Sequence, residues 1–453
     1  MPYLPAVGPI FFIVGKYPIF PPTVERRFGL DKAARWTDPA AMSRSAETSS
    51  TTVDLLILGA GMIGLTLAQA LARAGLSVAL LDRADPAAML DRGFDGRVSA
   101  IAYGSRRIFE GLGVWADMAS AAQPINEIRV VDGNSPLFLH YDHRDVGDEP
   151  LGHIVENRHI RGALMTALAE LPAGALAWFA PAAVAVLERD AAGVRATLND
   201  GRTIVARLVI VAEGRASATR EAAGIGVLTW RYAQTGIVCT VAHEKPHRGV
   251  AIERFLPAGP FAILPLTGNR SSLVWTERSD LAPAILALDG AGFAAEMERR
   301  FGDFLGGLEV VGERWSYPLA LLNAKRYADM RLVLVGDAAH AIHPISGQGL
   351  NLGLRDVAAL AEVLVDAARL GLDPGAADLL ETYARWRRFD AVTIGAVTDG
   401  LNRLFSNDLA PVRLTRDVGL ALAEKAPPLK RVFMRHAMGT MGELPRLARG
   451  EPL

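Results

Sequence analysis

Cysteine is nearly absent from this chain: there is one, Cys239, among 453 residues. A lone thiol permits no internal disulfide and no cysteine-based zinc or iron–sulfur site. That usage suits a reducing compartment, or any compartment that makes no use of thiols. Long apolar runs are absent too, and none approaches the roughly 18–20 residues that a bilayer-spanning helix needs. The opening stretch, MPYLPAVGPIFFIVGKYPIF, has four prolines, no basic lead and a break at Lys16, which argues against a cleaved signal peptide. Met42 offers an alternative start, and residues 1–49 read as a disordered or non-native extension. An excess of charge of either sign is also lacking, with 48 Lys+Arg against 49 Asp+Glu. Nucleic-acid binding driven by bulk charge is thereby disfavoured. With 50% hydrophobic and 21% charged residues, the composition excludes a disordered chain, a coiled coil and a collagen-like fibre. The length implies two domains plus extras.

What is present begins at residues 53–58, VDLLIL, an apolar run of strand length. Gly59-Ala60-Gly61-Met62-Ile63-Gly64 follows, then an Ala/Leu-rich helical stretch that Gly75 can cap. A second apolar strand, SVALL, ends at Asp82. This is the βαβ dinucleotide fingerprint with correct context on both sides. Gly59 allows the tight turn, Gly61 lets backbone approach a pyrophosphate, and Gly64 lets helix and strand pack closely. The helix N-terminus offers free N–H groups to phosphates, and Asp82 can accept from ribose hydroxyls. The motif alone does not separate FAD from NAD.

A second signal of this kind lies far down the chain. Residues 331–337, RLVLVGD, form an apolar strand ending in Gly-Asp, and 343–356, HPISGQGLNLGLRD, open a long Ala/Leu-rich helix. At the strand end, Asp337 can hydrogen-bond sugar-like hydroxyls; Gly347 and Gly349 permit close backbone approach at the helix start. Two separated ligand-facing strand ends imply one extended ligand bridging both. FAD has the length and two chemically different ends, whereas NAD alone leaves the second site unused. His340 and His343 stand three apart, as metal ligands can. With no further ligand pattern in a Gly/Pro loop, a structural or cofactor-loop role outweighs a metal site.

Together these segments resemble the class A aromatic flavoprotein monooxygenases, which share the para-hydroxybenzoate hydroxylase fold. Within that class the 343–356 run is similar to the signature of the ubiquinone-biosynthesis FAD-dependent hydroxylase family. DGRVSA at 95–100, YGSRR at 103–107, IERFLP at 252–257, GPFAILPL at 259–266 and VWTE at 274–277 resemble it as well. The likeness runs from about residue 53 to 449. It implies that Gly59, Gly61, Gly64 and Asp82, with Arg83 beside it, bind the ADP half of FAD. It also implies that Arg97 reaches the flavin side, that Asn157 and Arg158 contact the cofactor, and that Asp337 binds the ribityl chain. Pro344 would lie beside the flavin ring, its carbonyl facing the substrate. Gly347, Gln348, Gly349, Leu350 and Asn351 would set a helix N-terminus against the N1/C2-oxygen edge of the isoalloxazine. The implied chemistry is flavin reduction by NAD(P)H or another electron donor, O2 addition to give a C4a-hydroperoxyflavin, and oxygen transfer to an aromatic ring. One departure stands out: AEGRAS at 212–217 carries Glu213 where the family has Asp, in a motif associated with both FAD and NAD(P)H contacts. An ordinary strand-to-loop exit is the plainer reading of that segment.

The implied fold class is α/β: a discontinuous Rossmann-like FAD-binding domain (50–124, 151–218 and 319–400), a β-sheet substrate-binding domain (125–150 and 219–318) and a helical C-terminal tail (401–453). A hairpin is expected around residues 132–135. Phe255, Phe261, Leu264 and Trp275 are candidates for an apolar substrate cavity, although a Phe in a strand is more often core. In the tail, basic residues including Arg413, Arg416, Lys425, Lys430, Arg431 and Arg435 interleave with Leu, Val, Phe and Met. That composition permits contact with an anionic membrane surface, or packing on the body. The expected function is hydroxylation of a polyprenylated phenol in ubiquinone biosynthesis, in the cytoplasm or peripheral to the inner face of the cytoplasmic membrane. Other ubiquinone-biosynthesis proteins are candidate partners. A hydroxylase of a soluble aromatic and a catalytically weak flavin-bound scaffold are the alternatives.

Overall fold

Four apolar runs of strand length, LLIL, VALL, LVIV and LVL, become parallel neighbours in one sheet of the computed structural model. The structure describes residues 50–87, 96–133, 135, 138–407, 416, 419 and 422–453, together with the backbone but not the side chain of Ser346. The expected 1–49 extension, Asp95, Asn134, Pro411 and Arg413 lie outside the described residues.

This six-stranded sheet runs in the order Ala328–Asp329, Leu332–Leu334, Leu208–Val211, Leu55–Leu58, Val78–Leu81, Leu176–Phe179, antiparallel only at the first pair. Every residue of its central strands is buried, as expected where helices cover both faces of a parallel sheet. From Leu55–Leu58 the chain builds outward in one direction to Val78–Leu81 and in the other to Leu208–Val211. The topological switch therefore falls between Leu55–Leu58 and Leu208–Val211, where open α/β sheets bind ligands.

The second layer is an eight-stranded sheet ordered His340–Ala341, Leu308–Ala324, Val227–His243, Arg270–Arg278, Gly259–Leu266, Val250–Leu256, Glu127–Asp132, Phe138–Asp142. Only the pair Val250–Leu256 with Glu127–Asp132 is parallel. Strand alternation sends Ile237, Cys239, Phe261, Ile263, Leu273 and Trp275 to one face, where Phe293, Met297 and Phe301 of the Gly290–Phe301 helix seal them. Phe261 and Trp275 are thus core residues on the face away from the glycine-rich turns, which corrects their candidacy as cavity lining. Phe255 faces the other way and stacks on Phe405 at 4.0 Å between ring centres. The strand Leu308–Ala324 spans the expected boundary at 318/319 and pairs within the large sheet along its whole length.

Two long helices, Gly349–Arg369 and Ala377–Phe405, cross the body, and a shorter one, Pro427–Ala437, follows. Tertiary pairing takes two tail cations out of any surface role: Arg416 is buried against Asp132 (2.8 Å), and Lys430 pairs with Asp145 and Glu424.

Candidate functional site

The site begins where Leu55–Leu58 ends. Gly59 has φ +106°, and a Cβ there would stand 2.5 Å from the Ala212 carbonyl oxygen, so only glycine fits against the neighbouring strand end. At Gly64 a Cβ would come within 1.8 Å of the Gly59 carbonyl oxygen, which explains the close helix packing. Gly61 is different. It caps the Met62–Arg73 helix without a side-chain cap, and nothing lies within 4 Å of where its Cβ would be. Asp82 holds the turn: its Oδ2 accepts from the Ala60 N–H at 2.5 Å and its Oδ1 from Ala84 N–H at 2.8 Å. A cleft of about 320 Å³ opens there, lined by Gly59, Asp82, Arg83, Glu213 and Thr219 among others. A larger cavity, about 550 Å³, lies at the far end of the same helix beside Gln69, Arg73 and Glu170. It lies beside Leu76 and Ser77, at the amino end of the Val78–Leu81 strand, whereas open α/β sheets bind ligands at the carboxyl ends, so the smaller cleft is the better ligand site.

Gly336 and Gly353 bring the second segment against the first. A Cβ at Gly353 would stand 2.6 Å from Ile63 Cδ1, and one at Gly336 would stand 3.2 Å from Ile63 Cγ1. The residue after Ile63 is Gly64, so both glycine-bearing turns share one packing contact. Asp337 follows at the strand end, half exposed, accepting from Arg215 Nε at 3.0 Å. Arg215 belongs to the 212–217 motif, which thereby meets the second segment. Glu213 in that motif caps the next short helix, accepting from Ser217 Oγ, Thr219 N–H and Thr219 Oγ1.

The 343–351 loop turns tightly. The Pro344 carbonyl, expected to face a substrate, accepts from the Gly347 N–H at 2.9 Å within its own turn. Gly347 takes φ +60°. His343 is fully buried with its ring edge-on to Tyr232 at 5.0 Å, and burial lowers it to about 4. Its Nε2 has no partner among the described residues, nor does the buried Gln348 Oε1. Gly349, like Gly61, has open space where a Cβ would go. Leu350 packs against the core. Asn351 is a brace: its Nδ2 donates to the Ala100 and Gly347 carbonyls, and its Oδ1 accepts from the Ala102 N–H at 2.9 Å. The strand Val98–Ala102 is thus stapled to the helix start, which leaves the Asn351 side chain no free polar atom for a ligand. Asn351→Ala should cost about 1–3 kcal/mol, the range for stranding buried backbone groups. Chemical denaturation of the FAD-free protein measures it, and an unchanged midpoint refutes the brace.

That strand pairs with Gly152–Glu156, whose exit carries Asn157 and Arg158. The Asn157 N–H donates to the Arg97 carbonyl, and Asn157 Oδ1 accepts from Ser99 Oγ at 2.7 Å. Arg97 lies over the Trp315 ring, and Arg158 Nε donates to the buried Glu156. Contacts therefore link the two glycine turns, Asp337, the 347–351 helix start and the Arg97–Asn157 strand ends into one continuous region.

Sequence reasoning missed what locks this region. Asp356, fully buried, accepts from His340 Nε2 at 2.6 Å, Arg387 Nε at 2.7 Å and the Gly336 N–H at 2.9 Å. Burial alone pushes its carboxyl up, but His340 and Arg387 outweigh that and hold it below the usual range. Arg387 and Arg355 also share Asp390. His340 therefore serves a buried ion pair, and neither it nor His343 joins a cluster of three possible metal ligands among the described residues. The one such cluster, Glu127, His140 and Asp142, has its carboxylates paired with Arg129 and Arg144. A signal for Asp356 was available: it falls in the apolar stripe Leu352, Gly353, Val357, Leu360, where an unpaired charge is forbidden.

The arrangement suits FAD. Open glycine positions at two helix starts leave room for phosphates and ring, carboxylates stand at two strand ends, and two buried polar atoms at the second turn lack partners. A family model described as FAD binding domain matches residues 52–394. The ubiquinone hydroxylase UbiL of Rhodospirillum rubrum is 56% identical over 418 residues, covering 92% of this chain and 97% of that protein. The 3-demethoxyubiquinol 3-hydroxylase of Escherichia coli is 36% identical, covering 85% and 98%. Among solved structures, p-nitrophenol 4-monooxygenase PnpA from Pseudomonas putida superposes with TM-score 0.72 at 19% identity, over 87% of this chain and all of that one. That last likeness establishes the shared fold.

Proposed function

The chain belongs to the FAD-binding flavoprotein family that includes these ubiquinone hydroxylases, and on that premise we propose that it is an FAD-dependent aromatic-ring monooxygenase hydroxylating a polyprenylated phenol in ubiquinone biosynthesis. The observation that carries the reading is the meeting of two glycine-bearing strand–helix turns at one packing contact, each with open backbone beside a strand-end carboxylate. Gly59, Gly61 and Gly64 seat the pyrophosphate on the Met62–Arg73 helix N-terminus, and Asp82, beside Arg83, takes the ribose while bracing the turn. Asp337 takes the ribityl hydroxyls. The 347–351 helix start lies at the flavin's N1 edge, where a helix N-terminus stabilises negative charge by about 0.3–2 kcal/mol. Arg97, Asn157 and Arg158 close the flavin side, and Pro344 borders the ring. When bound and reduced by NAD(P)H, FAD supplies the activation of dioxygen, chemistry that belongs to the cofactor. The protein excludes water with the large sheet and holds the substrate ring at a reactive distance.

Metabolite profiling of a strain lacking the gene tests this. A prenylated precursor short of one ring hydroxyl should accumulate, and an unchanged quinone profile rejects the reading. Accumulation of a soluble aromatic would favour the alternative hydroxylase.

The second part of the proposal is peripheral contact with an anionic bilayer. Phe389 is 78% exposed, and Val392, Val397, Leu401 and Leu404 share its helix as exposed apolar groups, with Leu429, Val432 and Phe433 on the next. Exposed Arg385, Arg388, Lys425, Arg431 and Arg435 accompany them. No helix of the described residues is long and apolar enough to cross a membrane. Phe389→Ser/Val397→Ser should lower co-sedimentation with phosphatidylglycerol vesicles about tenfold, through lost apolar burial. Undiminished binding removes this surface from the reading.

A further inference from the structure

The large sheet's second face carries polar groups that the fold leaves unmet. In Val250–Leu256, Ile252 and Leu256 pack under the Gly290–Phe301 helix, and Arg254 donates to the Arg300 carbonyl of that helix. Ala251, Glu253 and Phe255 therefore point to the opposite face. There the apolar packing divides. Ala251 joins a cluster with Leu266, Met434 and Met438, bordered by Val98, Ala100 and Leu264. Phe255 joins another with Leu139, Ile345 and Phe405. Glu253 lies between them and belongs to neither, flanked in register by Val130 and the small Ala262. Among the described residues no hydrogen bond or ion pair engages its carboxyl. Thr240, Ser272 and Thr276 share this face, and each has a buried hydroxyl with no partner among the described residues. The Phe255 cluster reaches the 344–349 loop through Ile345, and the Ala251 cluster reaches the Val98–Ala102 strand through Ala100.

We propose that Glu253 is the substrate-positioning residue that hydrogen-bonds the ring hydroxyl of the phenolic substrate. The inference rests on the hydroxylase reading above, which puts the flavin ring at that loop. The apolar side chains of the two clusters would flank an aromatic ring, and one hydroxyl on that ring would pair with the Glu253 carboxyl, which nothing engages among the described residues.

The charges around it are spent elsewhere: Asp132 on Arg416, and Glu424 on Lys430. The nearby titratable groups are neutral, with Tyr141 pushed up to about 12 by burial and the charge of Glu424, and His343 lowered to about 4. Burial pushes the Glu253 carboxyl up to about 8, and among the described residues no cation offsets this. A neutral carboxyl both donates and accepts, whereas a carboxylate only accepts. An arriving ring dehydrates the group further and raises it again. Affinity should then be flat below about pH 8 and fall by up to tenfold per unit above it.

The test titrates the oxidised, FAD-loaded protein with 2-farnesylphenol and with its O-methyl ether, following the flavin absorbance change from about pH 6 to 9, below the phenol's own titration near 10. The phenol should bind the natural protein at least about tenfold tighter than the ether. Glu253→Leu should bind both alike. The near-isosteric Glu253→Gln should keep part of the preference and lose the decline above pH 8. Unchanged discrimination in Glu253→Leu, or a persisting pH dependence in Glu253→Gln, overturns the role of Glu253 and leaves the hydroxylase reading standing. Failure of the natural protein to bind either probe overturns both.

Discussion

Gly61→Val is expected to give a folded, colourless protein. The added Cβ meets no protein atom, since nothing lies within 4 Å of it, and the residue's φ of −68° is ordinary. Packing and backbone conformation therefore cost little. The branched side chain instead occupies the space over the Met62–Arg73 helix N-terminus, where we place the approach of the pyrophosphate. Losing that approach should weaken FAD retention at least about 100-fold, on the order of 3 kcal/mol. Visible absorbance of purified protein, with circular dichroism as the folding control, reads both halves of the claim. The neighbouring glycine should fail in the opposite way: Gly64→Ala places a Cβ 1.8 Å from the Gly59 carbonyl oxygen, a backbone clash that nothing flexible relieves. It should lose soluble, cooperatively folding protein altogether. A yellow, fully loaded Gly61→Val protein would refute the phosphate placement.

The second large effect is on stability. Asp356→Ala leaves Arg387 in the interior with the half-buried Asp390 and the Leu352 carbonyl, and takes the acceptor from His340 and the Gly336 N–H. Breaking one side of a buried ion pair costs about 3–5 kcal/mol. Thermal or denaturant unfolding should show that loss, with flavin retention falling alongside because Gly336 precedes Asp337. The pH dependence has a definite sign. Because the folded carboxyl lies below its unfolded value near 3.9, its stabilisation is fully present above that value and fades as the pH falls through it. The natural protein should therefore lose stability on acidification more steeply than Asp356→Ala. Equal acid limbs would show that the ion pair contributes nothing to folding.

Much of the site was legible because its chemistry is local. The run from Leu55 to Asp82 is a strand, turn, helix and strand whose side chains and glycines each answer a short-range requirement, and the 331–351 segment repeats that logic. The apolar aromatics were not legible in the same way. Phe255, Phe261 and Trp275 all sit in strands of similar composition, yet strand alternation sends Phe261 and Trp275 under the Gly290–Phe301 helix and Phe255 toward Phe405. Which parity faces a ligand depends on what packs against each side of the sheet. Likewise the basic surplus of the tail shrank once Arg416 and Lys430 found buried or paired carboxylates contributed by distant strands and loops.

By itself the sequence determined the class of ligand and pointed to the two places proposed to grip it, since tight turns, positive φ and helix N-termini are properties of neighbouring residues. It also bounded what the protein is not, through its lone thiol and balanced charge. Only the tertiary structure decided that both turns meet at Ile63, that the Asn351 side chain braces the Val98–Ala102 strand, and that Asp356 anchors a buried network. It alone left Glu253 without a partner among the described residues, between two apolar clusters. Those outcomes depend on contacts between segments far apart in the chain, where burial sets the cost of a charge and the register of a sheet sets which side chain must bear it.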